Sequence, residues 1–203
     1  MPELSAAALR EWGEHVESVM RGLAHALNNR AAALSAILEM SREPDDDPAM
    51  TQSILETEFR RVRELADTVR AVGPPAGTLE TVSPGDVVTG AVALLTLHAG
   101  QRDRAIEVDS AGAPPVRVAP WMLLRALVVL CASAPTTDPA RRTLRVTLRH
   151  DGDWMTARVV PPPDGAMCDS GYVAELVRAM GGETLAGGFR IPTLAALRRR
   201  EGP

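Results

Sequence analysis

The sequence of 203 residues contains no lysine, so all 22 of its basic residues are arginines. It has only two cysteines, Cys131 and Cys168, which are too few for a disulfide framework and indicate ordinary thiols in a reducing compartment. The net charge of −4 argues against a general nucleic-acid or membrane-surface binder, because both functions need a cationic face. We therefore expect no nucleic-acid partner.

Long apolar runs are also missing. The longest, residues 121–134, is interrupted by Arg125 and is too short to cross a bilayer. The first twelve residues lack the charged-then-apolar order of a signal peptide. These features predict a cytoplasmic protein that does not associate with a membrane.

Common catalytic and metal-binding motifs are absent from the sequence. There is no CxxC or HExxH spacing of metal ligands and no GxSxG nucleophile elbow. We therefore expect that the protein binds no metal ion of its own. Asparagine is also scarce, since Asn28 and Asn29 are the only two and they are adjacent.

Residues 1–72 have the spacing of a helical hairpin, which we take as the first domain. Apolar residues recur three and four positions apart in both arms, as in helices with one buried face. Residues 42–48, between the arms, hold two prolines and four acids, which end one helix and suit the start of the next. The apolar positions are Trp12, Val16, Val19, Leu23, Leu27, Ala31, Leu34 and Leu38 in the first arm, and Leu55, Phe59, Val62, Ala66, Val69 and Gly73 in the second.

Two helices joined by a short loop cannot cover both of their apolar stripes alone. A second copy would complete a four-helix bundle across a two-fold axis, so the pattern predicts a homodimer. The alternative is that the stripe packs on the second half of the same chain.

Residues 73–79 form a predicted linker, and residues 80–203 have the mixed pattern of an α/β domain. Ser83 stands before a proline and suits the N-cap of the first helix. The predicted helices are 84–100, 120–134 and 170–180, and the predicted strands are 105–109, 143–150, 154–160 and 187–191, with 194–200 as a short basic tail.

His25 is the residue best suited to carry chemistry. Leu23 and Leu27 flank it two positions away on either side, so on a helix the imidazole points away from the core stripe. Asn28 and Asn29 lie three and four residues further on, on the same face. An exposed imidazole is a competent nucleophile, and neighbouring amides can bind phosphoryl oxygens or place a water molecule.

Small residues around His25 predict a low surface that a partner can approach, with Gly22 one turn before and Ala32 two turns after. The alternative is an incidental surface histidine, which is common. Of the other histidines, His15 reads as a surface residue away from the asparagine pair, and His98 and His150 stand alone.

The string GLAHALNNR at residues 22–30 resembles the phospho-accepting box of two-component histidine kinases, which lies on the first helix of their dimerisation hairpin. Residues 124–134, 171–183 and 188–192 resemble, in that order, the asparagine-box helix, the last helix and turn, and the closing strand of the family's ATPase-like domain. The resemblance spans nearly the whole chain. It implies a dimeric hairpin followed by an ATPase-like α/β two-layer sandwich.

The departures from the family concern its ATP site. The positions of the two magnesium-binding asparagines are Leu130 and Ala134, and the adenine-binding aspartate turn falls at the proline-rich residues 159–165. Ala26 replaces the acid that usually follows the histidine and serves as the base for attack on ATP. The resemblance therefore implies a protein that binds no ATP and uses magnesium only as a partner receiver domain supplies it.

With these departures the chain resembles the dimeric histidine phosphotransferases, which keep the helical hairpin and an ATPase-like domain but have lost ATP. The resemblance implies a histidine phosphotransferase of a bacterial phosphorelay. His25 takes a phosphoryl group from a receiver aspartate and passes it on, Asn28 and Asn29 orient its oxygens, and the α/β domain serves as a docking wall. Arg21, Gly22 and Arg30 complete the predicted partner-binding surface. The alternatives are a non-catalytic pseudokinase dimer that docks receivers or kinases, a receiver phosphatase that uses Asn29 to place water, and an active kinase.

Overall fold

The N-terminal third of the chain is a helical hairpin, as the apolar spacing predicts. The computed structural model describes residues 3–41, 48–72, 78–101, 104–134, 143–160 and 170–201. Helix α1 spans Ala6–Met40 and helix α2 spans Pro48–Val72. The Ser5 hydroxyl caps α1 by accepting a hydrogen bond from the Ala8 amide at 3.2 Å.

The rest of the described chain is an α/β sandwich, which confirms the predicted fold class. Its mixed five-stranded sheet has the order β2-β4-β5-β7-β6, in which only β2 and β4 are parallel, and β1 pairs antiparallel with β3 in a separate two-stranded sheet. Helix α3 packs on α4, and α4 and α5 pack on the sheet. The elements are β1 (Glu80–Val82), α3 (Pro84–Leu97), β2 (Ala105–Asp109), β3 (Val116–Val118), α4 (Pro120–Ala132), β4 (Thr143–Asp151), β5 (Trp154–Val160), α5 (Gly171–Ala179), β6 (Glu183–Leu185), β7 (Gly188–Pro192) and α6 (Leu194–Glu201).

Strand β4 shows why this sequence forms a sheet with one buried face. Leu144, Val146 and Leu148 are fully buried, while Arg145 between them and Arg149 after them are exposed. This alternation matches the two-residue period of a strand. The turn into β5 places Gly152 at φ +60°, a conformation that favours glycine, so the predicted hairpin is confirmed.

Several elements differ from the predicted ones. Strands β1, β3 and β6 have three residues each, which is too short for a periodic signal. The segment expected as a basic tail is helix α6. Ser83 occupies the N-cap of α3 but its side chain makes no capping hydrogen bond. Part of the predicted linker (73–77), most of the proline-rich turn (161–165) and Cys168 lie outside the described residues.

The apolar stripe of α1 is divided between two environments. Its first half packs on the chain's own α/β sandwich, where Trp12, Val19 and Leu23 are buried in the common core. Its second half is open, since Leu27 is 41% and Leu38 55% exposed. The first half of the stripe therefore packs on the same chain, which was the alternative to a second copy. Only the second half of the stripe is left for a partner.

Aromatic and polar contacts hold the first half of α1 in place. The Trp12 ring stacks on the Tyr172 ring at 5.6 Å, and the Arg125 guanidinium lies 4.7 Å above Trp12. The Glu11 carboxylate accepts a hydrogen bond from the Tyr172 amide in the first turn of α5, at 3.0 Å. The backbone amide of Ser5 donates to the Glu175 carboxylate at 2.8 Å. The hairpin and the sandwich therefore meet in a specific interface.

Candidate functional site

His25 is exposed on α1 and is paired with one of the two asparagines. The Asn29 amide nitrogen lies 3.2 Å from Nε2 of His25. This contact follows from the sequence, because residues four apart are neighbours on a helix. An amide N–H that donates to Nε2 leaves the imidazole proton on Nδ1 and keeps a lone pair on Nε2. In that tautomer Nε2 of His25 has the lone pair that a nucleophile needs.

The other predicted residues on this side of α1 are exposed. Asn28 is exposed, and no hydrogen bond joins it to His25 among the described residues. Arg21 stands one turn before His25 and forms an ion pair with Glu17 at 2.8 Å. Both side chains of that pair are largely exposed, so the pair is weak and the guanidinium can exchange partners. Arg21 remains within reach of a group bound at His25.

Arg30, predicted to bind a partner, makes a contact within the hairpin. Its guanidinium reaches across the hairpin and donates to both oxygens of Glu58 on α2, at 3.2 and 3.0 Å. Glu58 is buried and also pairs with Arg61. The hydrogen bond from Arg30, helped by Arg61, holds the pKa of the Glu58 carboxyl below its usual range. The charge of Arg30 therefore serves the contact between the two helices.

Gly22 and Ala26 face the α/β sandwich. The prediction had placed Gly22 on an open surface beside His25, where a partner protein could approach. Gly22 is buried, and a Cβ atom there would overlap the backbone carbonyl of Leu97 at the end of α3. Ala26, at the position after His25, is partly buried against the common core. The small residues of this stretch therefore allow α1 to pack closely on its own α/β sandwich.

The structure pairs two histidines that sequence reasoning treated separately. Nδ1 of His15 lies 3.2 Å from Nε2 of His98, and the ring centroids are 5.5 Å apart. His98 is buried and His15 is half-buried, so the prediction of a surface His15 and an isolated His98 was wrong. The two residues are 83 positions apart, and no local spacing signals their contact.

The positions that correspond to the asparagine box of histidine kinases lie in the core. Leu130 and Ala134 are both buried at the C-terminal end of α4, and neither side chain can bind a cation. Of the proline-rich stretch, only Val159 and Val160 belong to the described residues. The side chains at these two positions therefore supply no oxygen atom that could bind magnesium.

Three further properties bear on the chemistry of the described residues. They contain no group of three or more histidine, cysteine, aspartate or glutamate side chains able to hold a metal ion. No helix among them is both long and apolar enough to traverse a bilayer. Burial raises the pKa of the Cys131 thiol to about 12, so this cysteine is protonated and unreactive at neutral pH.

Comparisons with known proteins give only distant likenesses. No protein-family model and no curated protein matches the chain. Solved structures similar to it include the Acinetobacter baumannii histidine kinase AdeS (12% identity, TM-score 0.42, 84% of this chain and 98% of that one). Two others are the nucleotide-free catalytic domain of histidine kinase ThkA (12%, 0.44, 58% and 98%) and full-length ShkA in complex with AMPPNP (16%, 0.42, 83% and 44%). These identities and TM-scores are too low to assign a function, so any functional argument must come from the chain's own residues.

Proposed function

We propose that this protein is a histidine phosphotransferase of a bacterial two-component phosphorelay. The observation that carries the proposal is the exposed pair on α1, in which Asn29 donates to Nε2 of His25 at 3.2 Å. The imidazole is open to an approaching protein, and the amide beside it can turn from the ring to a phosphoryl oxygen. The resemblance of residues 22–30 to the phospho-accepting box of histidine kinases points the same way.

The proposed step moves one phosphoryl group between two proteins. The lone pair on Nε2 of His25 forms a bond to phosphorus, and the bond from phosphorus to the receiver's aspartyl oxygen breaks. The electron pair of that bond stays on the leaving carboxylate, and the proton on Nδ1 passes to solvent. Transfer to a second receiver runs the same step in reverse, with its aspartate as the nucleophile. The Asn29 amide and Arg21 would balance the charge of the phosphoryl oxygens.

The donor in this proposal is a phosphorylated receiver and not ATP. Leu130 and Ala134 are buried and apolar where a kinase of this resemblance has magnesium-binding asparagines. Ala26 supplies no carboxylate beside His25, and its partly buried position faces the sandwich. A receiver brings its own acids and magnesium, so transfer from an acyl phosphate needs neither feature.

The test is a transfer assay with receiver domains from the same genome. Each receiver is charged with a radiolabelled small phosphodonor, freed of that donor and mixed with the purified protein. We expect label on the protein that acid removes and alkali does not, with faster loss of label from one or a few receivers. Labelled ATP with magnesium, in a parallel sample, is expected to give no label.

Each other outcome of the assay would favour a different function. Label from ATP would make the protein a kinase. Shortened receiver lifetimes without label on the protein would make it a phosphatase. No label and unchanged lifetimes with every charged receiver would contradict the proposal and favour a non-catalytic docking protein.

The two asparagines should contribute unequally to transfer. Replacing Asn29 by leucine removes the one amide that contacts His25, and we expect the transfer rate to fall by about tenfold to a hundredfold. Replacing Asn28 by leucine removes an exposed amide that makes no described hydrogen bond to the imidazole, and we expect a change of less than about threefold. Rapid-quench measurement of labelled receiver loss would compare the two variants. Equal effects would contradict the assigned role of Asn29.

We also propose that two copies of the chain pair through an exposed apolar face of α1. Met20, Leu27 and Leu38 are 44%, 41% and 55% exposed. They are separated by seven and eleven residues, close to two and three turns, so they share one face of α1. The helical spacing puts His25 about 140° around the helix from this face, so a four-helix bundle formed there would leave the imidazole exposed.

A charge on this face should separate the two copies. For Leu38→Glu we expect the dissociation constant of the dimer to rise by about tenfold or more, because the carboxylate would be buried at the interface. Leu79→Glu is the matched control, since Leu79 is equally exposed but lies on the α/β sandwich. Sedimentation velocity over a concentration series would compare them. A monomeric wild type, or equal dissociation in both variants, would contradict the proposed dimer.

A further inference from the structure

The contact between α1 and the end of α3 is held by two histidine rings and by close backbone packing. Nδ1 of His15 faces Nε2 of His98 at 3.2 Å, in a half-buried setting. One turn further along α1, the Ser18 hydroxyl accepts a hydrogen bond from the Ala99 amide at 3.2 Å. A turn beyond that, Gly22 lies directly against the Leu97 carbonyl. We call these contacts the α1–α3 joint.

The hydrogen bonds around His98 favour one neutral tautomer. The Gly100 amide donates to Nδ1 of His98 at 3.3 Å, and the Ser18 hydroxyl lies 3.4 Å from the same nitrogen and can also donate to it, so these contacts suit a ring whose proton is on Nε2. The proton is then on Nε2, which donates to Nδ1 of His15. Both rings must be neutral for this chain of hydrogen bonds to form. A proton added to one ring forces these hydrogen bonds to rearrange around the Ser18 hydroxyl, and a proton on both rings places two cations in contact.

The charged groups near the pair come mainly from α1 itself. Glu11 and Glu14 favour a protonated His15, but Glu11 is occupied by the Tyr172 amide. Among the described residues, His15 is the one whose charge acts on His98, and it disfavours protonation of His98.

The neighbouring elements direct their charges elsewhere. Arg125 of α4 lies over the Trp12 ring, and Glu175 of α5 bonds Ser5. Arg104, beyond the end of α3, donates to the carbonyl of Ala134 at 3.0 Å. These contacts place no described carboxylate against either histidine ring to compensate a second proton.

We propose that the α1–α3 joint is a pH-sensitive contact that holds the hairpin on the α/β sandwich at neutral pH and opens when His15 and His98 take up protons. Opening frees the segment of α1 that leads to His25, because Gly22 stands less than one turn before it. The joint does not depend on the phosphotransfer chemistry of His25.

The titration of the pair has the direction that such a joint requires. Burial lowers the pKa of His15 and of His98 below the ordinary value of about 6.5. The unfolded or opened chain therefore binds protons that the closed joint does not. The stability of the joint is complete above about pH 6.5 and is lost as the pH falls from there toward the lowered pKa values.

The experiment measures amide hydrogen exchange in the full chain at about pH 7.5 and about pH 5.5, corrected for the intrinsic rate at each pH. We expect protection at residues 97–101 and at Gly22 to fall by about tenfold or more on acidification, since each proton taken up shifts the equilibrium by up to tenfold per pH unit. Protection of Leu148 in the core of the sheet should change much less. In His15→Gln, whose amide can accept from His98 without titrating, the fall should be clearly smaller.

His150→Gln is the matched control, because His150 is exposed on β4, far in sequence and topology from the joint. It should show the same fall in protection as the wild type. His15 is half-buried, so His15→Gln keeps the test valid if a variant of the buried His98 does not fold. The proposal is overturned if His15→Gln and the wild type lose protection equally. It is also overturned if the joint keeps its protection at the lower pH, or if Leu148 loses as much as the joint.

Discussion

In His25→Ala, transfer from every charged receiver should fall by about a thousandfold or more, to the background of the assay. The variant removes the only lone pair that the proposed step uses, and a missing nucleophile has no substitute among the neighbouring amides. Because His25 is exposed, its loss leaves no cavity, and the unfolding midpoint in urea should be unchanged. The measurement is the rate of acid-labile labelling with the receiver that serves the wild type best.

His150→Ala provides the matched control for this loss. It also removes an exposed histidine, and it should transfer at the wild-type rate. Labelling that survives in His25→Ala would place the phosphoryl group elsewhere and refute the assigned site. Loss in both variants would indicate that exposed histidines affect the assay itself.

Gly22→Ala should lower the free energy of unfolding by about 3 kcal/mol or more, the largest effect that we expect for a change of one methyl group. The new Cβ would overlap the Leu97 carbonyl. The backbone of α1 fixes the position of that Cβ, and the carbonyl belongs to the backbone at the end of α3, so neither can turn away as a longer side chain can. The two helices must therefore separate at the α1–α3 joint. Urea unfolding followed by circular dichroism would measure the loss.

Gly13→Ala is the matched control, because it makes the same chemical change on the same helix. Apart from its own stretch of helix, no described atom lies within 4 Å of the position that its Cβ would take. Alanine is a better helix former than glycine, so this variant should gain about 0.5 to 1 kcal/mol. Equal midpoints for the two variants would contradict the close packing of α1 on α3.

The two sides of α1 have different environments. His25 lies on the exposed side and is proposed to carry chemistry, whereas Gly22, three residues earlier, lies against the sandwich and carries packing. A variant of Gly22 that folds poorly would therefore lose transfer through the position of α1 and not through the nucleophile. Comparing transfer per folded molecule in the two variants would distinguish these causes.

Features with a short repeat could be predicted from the residues alone. The three-and-four spacing of the apolar residues predicts both long helices, and alternation predicts β4 and β5, because these patterns follow from the helix and strand periods. The approach of Asn29 to His25 is of the same kind, since residues four apart meet on any helix. The three-residue strands β1, β3 and β6 are missed because they are shorter than two periods of their own pattern.

Contacts between distant parts of the chain were decided only by how the elements pack. The sequence could not show that Trp12 packs on Tyr172, that Gly22 meets Leu97, or that His15 pairs with His98, since each pair lies more than 70 residues apart. It also could not show that Arg30 turns to Glu58 and away from His25. A helical pattern states which residues share a face, and the docking of whole elements then decides what that face touches. The exposed pair at His25 could therefore be predicted locally, whereas the joint beside it required the tertiary structure.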